Sequence, residues 1–288
     1  MDVRLVLAAV EHAWFARLAR QPGLDEVNLP SRRTLPALRP GELVLFLLGD
    51  AIAGGGVFAY ASTLPCSVAW DCFGPANGAA SLDEMGDGER DAAIRCCILS
   101  QPFFFAEPDR IRVARPARAA RFTICDTAGA RGAQIWAEVQ RRLSAPAGSR
   151  AGFADEARRF GHPTLIRPRL GQGAFRVMVT DLYGRRCAVT AENTLPALEA
   201  AHIRPFACGG EHRPDNGILL RRDIHRLFDL GYVTVTPDLR FAVSRCLRQD
   251  YDGRAYTALD GREIAVPGQG RPASAALAWH NEHLFLGR

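Results

Sequence analysis

The chain contains no lysine: all 36 of its cationic side chains are arginine, in 288 residues carrying a formal net charge of +5. A GC-rich genome accounts for such a bias, but it has a physical consequence. Every contact with a phosphate must come from a guanidinium, which can bind two oxygens at once. The eight cysteines include no C-x-x-C pair, and only Cys96 and Cys97 are adjacent. A structural zinc knuckle is therefore not expected, and reduced thiols in a cytoplasmic setting are. No run of eighteen apolar residues occurs, which excludes an apolar membrane-spanning helix. The opening Met1-Asp2-Val3-Arg4 carries an acid and lacks a signal peptide's cleavage site, so a cytoplasmic protein with no membrane partner is expected. With 48% hydrophobic and 23% charged residues the chain is not disordered overall. Residues 151–288 hold 19 arginines against 15 acids and residues 1–150 hold 17 against 16, so a polyanion is expected to lie mainly against the second half.

That half carries the most informative pattern. Leu198-Glu-Ala-Ala-His202-Ile-Arg-Pro is followed by Asp215-Asn216-Gly217 and then by Asp223-Ile-His225-Arg-Leu-Phe-Asp229. The His, Asn and His are fourteen and nine residues apart, with an acid four residues beyond the last His. Ala197 to Ile203 is apolar and bounded by prolines, which predicts a strand; Phe206 to Asp215, rich in Gly, Pro and charge, predicts a loop. Gly217 to Arg221 predicts a second strand, and Asp223 is a good N-cap for a helix ending at Gly231. A hairpin packed on a helix results. His225 and Asp229, at i and i+4, share a helical face and can grip one ion. A neutral base that deprotonates water, together with a hard cation that absorbs charge on phosphate, is the chemistry of phosphodiester cleavage.

These residues resemble those of HNH endonucleases with the ββα-metal fold. Gly171-Gln-Gly-Ala-Phe-Arg176 and Tyr183-Gly-Arg-Arg-Cys187-Ala-Val-Thr resemble the lead-in of the HNH branch found in modification-dependent restriction enzymes, and Trp279-His280-Asn281-Glu282 resembles its terminal helix. The resemblance runs from about Leu170 to Phe285. It implies that His202 is the general base, that Asn216 holds the hairpin loop and the base's orientation, and that His225 and Asp229 are metal ligands. Many members carry Asp or His immediately before the base; here that position is Ala201, which cannot bind metal. Either water completes the shell, or Glu199 or Asp223 reaches in. Glu199 shares a strand face with position 201, opposite His202. The donor set suits Mg²⁺, Mn²⁺ or Ni²⁺, and Zn²⁺ as well.

The first half reads as a different domain, α+β and mostly β. Leu43 to Leu48 and Ala51 to Tyr60 are apolar runs separated by Gly49-Asp50, a hairpin signal. Ser67 to Phe73 and Ile94 to Leu99 look like further strands. Leu5 to Leu18 and Gln134 to Leu143 have helical spacing, and Ala79 to Met85 a short helix. Pro40-Gly41-Glu42 before a strand, the glycine-rich Ile52-Ala-Gly-Gly-Gly-Val-Phe58, and Trp70-Asp71 followed by Phe73-Gly74 resemble the PUA-like superfamily of EVE, ASCH and SRA-type domains. That resemblance implies a mixed β-barrel reading modified bases, with a flipped base stacked on aromatic rings. Candidates for the pocket are Trp14, Phe15, Trp70, Asp71, Phe73, Asn77 and the run Phe103-Phe104-Phe105. Each ring also fits a barrel core, Asp71 and Asn77 also fit turns, and Gly54 to Gly56 fit either a close approach or a bulge.

The expected organisation is a reader domain over 1–145, a linker over 146–169 that begins within the helix-breaking stretch Ser144 to Gly152, and a nuclease over 170–288. One reading is a metal-dependent endonuclease acting on double-stranded DNA as a homodimer, its front domain selecting modified cytosine. The alternative is a nucleic-acid-binding or nucleotide-sensing protein with a weakly active HNH domain.

Overall fold

The computed structural model describes residues 4–86, 88–113, 121–144, 170–251 and 253–286; the expected linker lies outside them. The chain divides into two compact units, Met1–Ala174 and Phe175–Arg288, and its overall class is α+β.

The first unit begins β1 (Arg4–Ala9), α1 (His12–Ala19), β2 (Glu26–Ser31), β3 (Leu43–Leu48) and β4 (Ala51–Pro65). It continues α2 (Cys66–Phe73), α3 (Leu82–Gly86), β5 (Ala93–Phe104), β6 (Ile111–Arg112), β7 (Phe122–Asp126) and α4 (Ala130–Ser144). Its strands form one sheet in the order β2-β5-β4-β3-β1-β7, with β6 on β4. Among the described residues of this sheet only the β1–β3 pair is parallel. Alternation sends Leu5, Leu7, Leu43, Leu45 and Leu47 to one face, where they join Ile135, Trp136 and Val139 of α4. Val6, Ala8, Val44, Phe46 and Leu48 point to the other, with Trp14, Phe15 and Leu18 of α1. A sheet covered on both faces has no polar side, which is why its central strands read as unbroken apolar runs.

Among the described residues no sheet is closed: the path has ends at β2 and β7, so the expected barrel is not what these strands form. The triple glycine belongs to a bulge. Register against β5 shifts between Gly55 and Val57, and a Cβ on Gly54 would lie 2.3 Å from the Phe103 carbonyl oxygen. The tight approach is thus between backbones. Two expected elements differ. Ser67 to Phe73 is the helix α2, and Leu5 to Leu18 is a strand followed by a helix.

The second unit contains most of α5 (Gln172–Leu182), then β8 (Leu198–His202), β9 (Gly217–Arg221), α6 (Arg222–Asp229), β10 (Val233–Val235) and β11 (Phe241–Val243), followed by α7 (Arg245–Asp250), α8 (Arg254–Thr257) and α9 (Ser274–His283). One apolar cluster joins Phe175 and Val179 of α5, Ile218 to Leu220 of β9, Ile224 and Phe228 of α6, Val233 and Val235 of β10, and Leu277 of α9. The antiparallel β8–β9 pair runs from Leu198 opposite Arg221 to His202 opposite Gly217. Strand, loop, strand and helix therefore occur where the motif predicts them. No helix of the described residues is long and apolar enough to cross a membrane.

Candidate active site

The pairing of His202 with Gly217 brings both ends of the Ile203–Asn216 loop together. Asn216 closes that loop. Its Oδ1 accepts from Arg204 N at 2.9 Å, and its Nδ2 donates to Arg204 O and Glu211 O, both at 3.0 Å. The side chain is buried and these three bonds go to backbone, which braces the loop beside His202. Glycine is needed at two neighbouring points. A Cβ on Gly210 would lie 1.9 Å from Arg204 O, and one on Gly217 would lie 2.5 Å from Val179 and 2.9 Å from the Phe175 ring.

His202 is half-buried and stacks on Phe175, ring centroids 4.0 Å apart and planes 13° from parallel. Its Nε2 is 2.9 Å from Nδ1 of His212, a loop residue that the motif did not single out. Burial, then the neighbouring His212 and His225, push the His202 pKa down to about 4. The imidazole is therefore neutral at pH 7, as a general base must be.

Helix α6 brings the second pair. His225 Nε2 lies 3.3 Å from Asp229 Oδ2, and His225 Nδ1 lies 2.8 Å from Glu199 Oε2 on β8. Burial opposes charge on His225, but hydrogen bonds to Asp229 and Glu199 outweigh it and raise its pKa. Glu199 is committed on both oxygens, Oε1 accepting from Arg222 Nε at 2.6 Å. Against the opposing effect of burial, its bonds to Arg222 and His225 hold its pKa low. Asp223 is held elsewhere. Arg221 reaches it through Nε at 2.8 Å and Nη2 at 2.6 Å, and the Tyr256 hydroxyl donates to it at 3.0 Å. The Arg221 pair is the first cause of its pKa falling to about 2. Asp223 occupies the first turn of α6, whose N-cap is Arg221.

Among the described residues no group of three or more His, Cys, Asp or Glu side chains could enclose a metal ion. The donors at hand are one imidazole nitrogen and one carboxylate, the latter 47% exposed at Asp229. That pair fits an open site for a hard or borderline divalent cation whose other positions are filled by water or phosphate oxygens.

In the first unit the nominated pocket residues separate. Trp14 is buried, its ring 5.1 Å from Phe46 and its Nε1 donating to Asn28 O at 3.3 Å. Phe104 packs on Phe15 and Phe46 in the same cluster, while Phe103 and Phe105 point to the other face of the sheet. Trp70, Asp71 and Phe73 lie on α2, with Phe73 buried, Trp70 half-buried and Asp71 exposed. Asn77 is buried and accepts from Asn28 Nδ2 at 2.8 Å.

Residues 187–236 match the HNH_2 family model, described as HNH endonuclease. The chain therefore carries an HNH endonuclease domain and is an enzyme of the nuclease class. No curated protein sequence matches it. A solved "Modification dependent TagI restriction endonuclease" is similar at 11% identity and a TM-score of 0.32, over 96% of this chain and 81% of that one. The "Type IV phosphorothioation-dependent restriction endonuclease ScoMcrA" is similar at 11% identity and a TM-score of 0.22, over 96% of this chain and 57% of that one. Neither superposition is close enough to argue from.

Proposed function

We propose that the chain is a metal-dependent DNA endonuclease in which His202 is the general base and His225 and Asp229 hold a divalent cation. The observation that carries this is the hairpin-on-helix, which sets a neutral, half-buried imidazole beside an imidazole–carboxylate pair. His202 takes a proton from the water that attacks phosphorus in line, and the bond to the departing 3′ oxygen breaks. The departing 3′ oxygen takes a proton from solvent water, so the products are 5′-phosphate and 3′-hydroxyl ends. Mg²⁺, Mn²⁺ or Ni²⁺ bound by His225 Nε2 and Asp229 would supply Lewis-acid stabilisation of charge on the phosphate. Glu199 accepts from His225 Nδ1–H and so aims Nε2 at that position, a carboxylate–histidine arrangement outside the ligand shell. Asn216 keeps the loop beside His202 in shape, and arginines supply the phosphate contacts.

The finer reading is modification-dependent restriction by a homodimer, with the first unit selecting DNA that carries modified cytosine. Because Trp14 and Phe104 are packed into an apolar cluster and Phe73 is buried, the half-buried Trp70 with the exposed Asp71 beside it is the better candidate for meeting an extruded base. Plain and cytosine-modified plasmid, incubated with Mg²⁺, Mn²⁺ or Ni²⁺, test both levels. Wild-type protein should cut with at least one ion and prefer modified plasmid, and His202→Ala should lose about 10²–10⁴ in rate. Equal cutting of both plasmids would remove the modification reading alone. Wild-type rates from His202→Ala would remove the assignment of the base.

A further inference from the structure

The loop between His202 and Asn216 holds a second imidazole, His212, against the first. Four rings of the second unit form a ladder from the surface to the core. Phe206, 63% exposed, stacks on His212 at 4.8 Å with planes 8° apart. His212 bonds His202 edge to edge at 2.9 Å, and His202 stacks on Phe175 at 4.0 Å. Phe175 is itself 1% exposed. Each imidazole is stacked on one phenylalanine ring, Phe175 for His202 and Phe206 for His212, so the 2.9 Å bond is made between two rings whose planes are set by that packing. The nitrogens it joins are His202 Nε2 and His212 Nδ1.

Two neutral imidazoles can share that bond in two ways, and only one leaves a working base. If His212 Nδ1–H donated, His202 would carry its proton on Nδ1 and have no lone pair left for water. If His202 Nε2–H donates, its Nδ1 keeps a lone pair, and the partner bond fixes the tautomer. We propose that His212 is a positioning residue that accepts from His202 Nε2–H, locking His202 in the tautomer whose Nδ1 takes the proton from water. The proposal rests on the assignment of His202 as base. When Nδ1 takes that proton, His202 becomes a cation whose Nε2–H still points at the His212 Nδ1 lone pair, so no partner has to reorient during the step. His212 touches neither water nor phosphate in this account.

Two substitutions separate an acceptor from a spacer. His212→Phe keeps a ring on Phe206 but removes the acceptor, whereas His212→Asn places an amide oxygen near the position of Nδ1. His212→Phe should lower kcat by about 10–100-fold, as removal of an outer partner does, with KM for DNA and Mn²⁺ affinity unchanged. His212→Asn should recover most of that loss. In the full-length protein with ¹⁵N-labelled histidine, long-range ¹H–¹⁵N correlations should show His202 as the Nε2–H tautomer in the wild type and a mixture in His212→Phe. Wild-type kcat in His212→Phe, no recovery in His212→Asn, or an Nδ1–H tautomer in the wild type would each overturn the proposal. So would a loss of Mn²⁺ affinity, which would make His212 a ligand. Failure of the underlying reading is distinguishable, because it shows as wild-type cutting by His202→Ala.

Discussion

At the scale of single residues the site is built from a few side chains with little redundancy. Asn216 is the clearest case. Replacing it with alanine strips partners from the Arg204 amide and from the carbonyls of Arg204 and Glu211. Leaving buried backbone groups unpaired costs about 1–3 kcal/mol each where water cannot reach them. Asn216→Ala should therefore lower stability by about 2–4 kcal/mol in urea titration and also depress cutting, because the loop carries the partner of His202. A loss of activity without any loss of stability would mean that Asn216 acts directly on the chemistry. Glu199→Gln tests the next layer. The amide can still accept from His225 Nδ1–H but carries no charge, so Mn²⁺ affinity should fall by about 10–100-fold. His225→Ala should lower it further, DNA affinity staying near wild type in both. Calorimetry with unchanged Mn²⁺ binding in His225→Ala would remove the helix from the metal site. The placement of His202, Asn216, His225 and Asp229 on one hairpin and helix is legible because each sits at a fixed offset within a strand, turn or helix whose period is known. His212 was not, since a loop residue has no period and its partner is revealed only when the β8–β9 pair closes. Glu199 was legible as a residue near the site, but its commitment to Arg222 and His225 depends on how close α6 packs to β8.

At the scale of elements, α6 ends where Gly231 predicts. Gly231, at φ 77°, donates to Phe228 O, and Tyr232 N donates to Leu227 O, the paired bonds of a left-handed helix stop. A Cβ there would lie 1.9 Å from Leu284 O. Gly231→Ala adds the clash to a backbone cost of about 1–2 kcal/mol, so it should lower the melting point of the second unit by several degrees. An unchanged melting point would mean that the stop is dispensable. The same helix is braced by α9, where fully buried His280 stacks on Phe228 at 3.7 Å. It donates from Nε2 to Phe228 O at 3.1 Å, and burial takes its pKa down to about 4 from 6.5. The sign follows. Above pH 6.5 both folded and unfolded forms are neutral at this site, and between 6.5 and 4 only the unfolded form takes the proton. Stability should therefore fall across that window, by up to about 1.4 kcal/mol per pH unit for this group. Urea midpoints that stay flat from pH 7 to 4.5 would contradict a buried neutral His280. Where the elements differ from the sequence pattern, the reasons are physical. Leu5 to Ala8 are buried on both faces of the sheet, so the alternation that marks a strand is absent and the run merges with α1. In α2 the β-branched Val68 and the rings of Trp70 and Phe73 favour a strand locally, and burial of Cys66, Ala69 and Phe73 along one helical face overrides them.

At the scale of the whole molecule, the helix-breaking composition after Leu143 predicts a break there, whereas the two compact units divide at Ala174, and nothing in the sequence marks the sheet as open. Whether strands curl into a barrel depends on pairing between chain-distant edges, and β2 and β7 offer no local signal of it. The catalytic inventory has a stoichiometric consequence. One HNH module with one base cuts one strand, so a double-strand break needs two chains, which we expect to meet as a two-fold dimer on DNA. At low protein concentration plasmid should accumulate as nicked circles, and linear product should rise with roughly the square of concentration. Mixing wild type with an excess of His202→Ala protein sharpens the test. A mixed dimer has one working site and should convert linear product into nicked circles at unchanged total protein. If linear product forms in proportion to concentration and the inactive variant merely dilutes it, each chain makes both cuts alone, and the two-chain account fails.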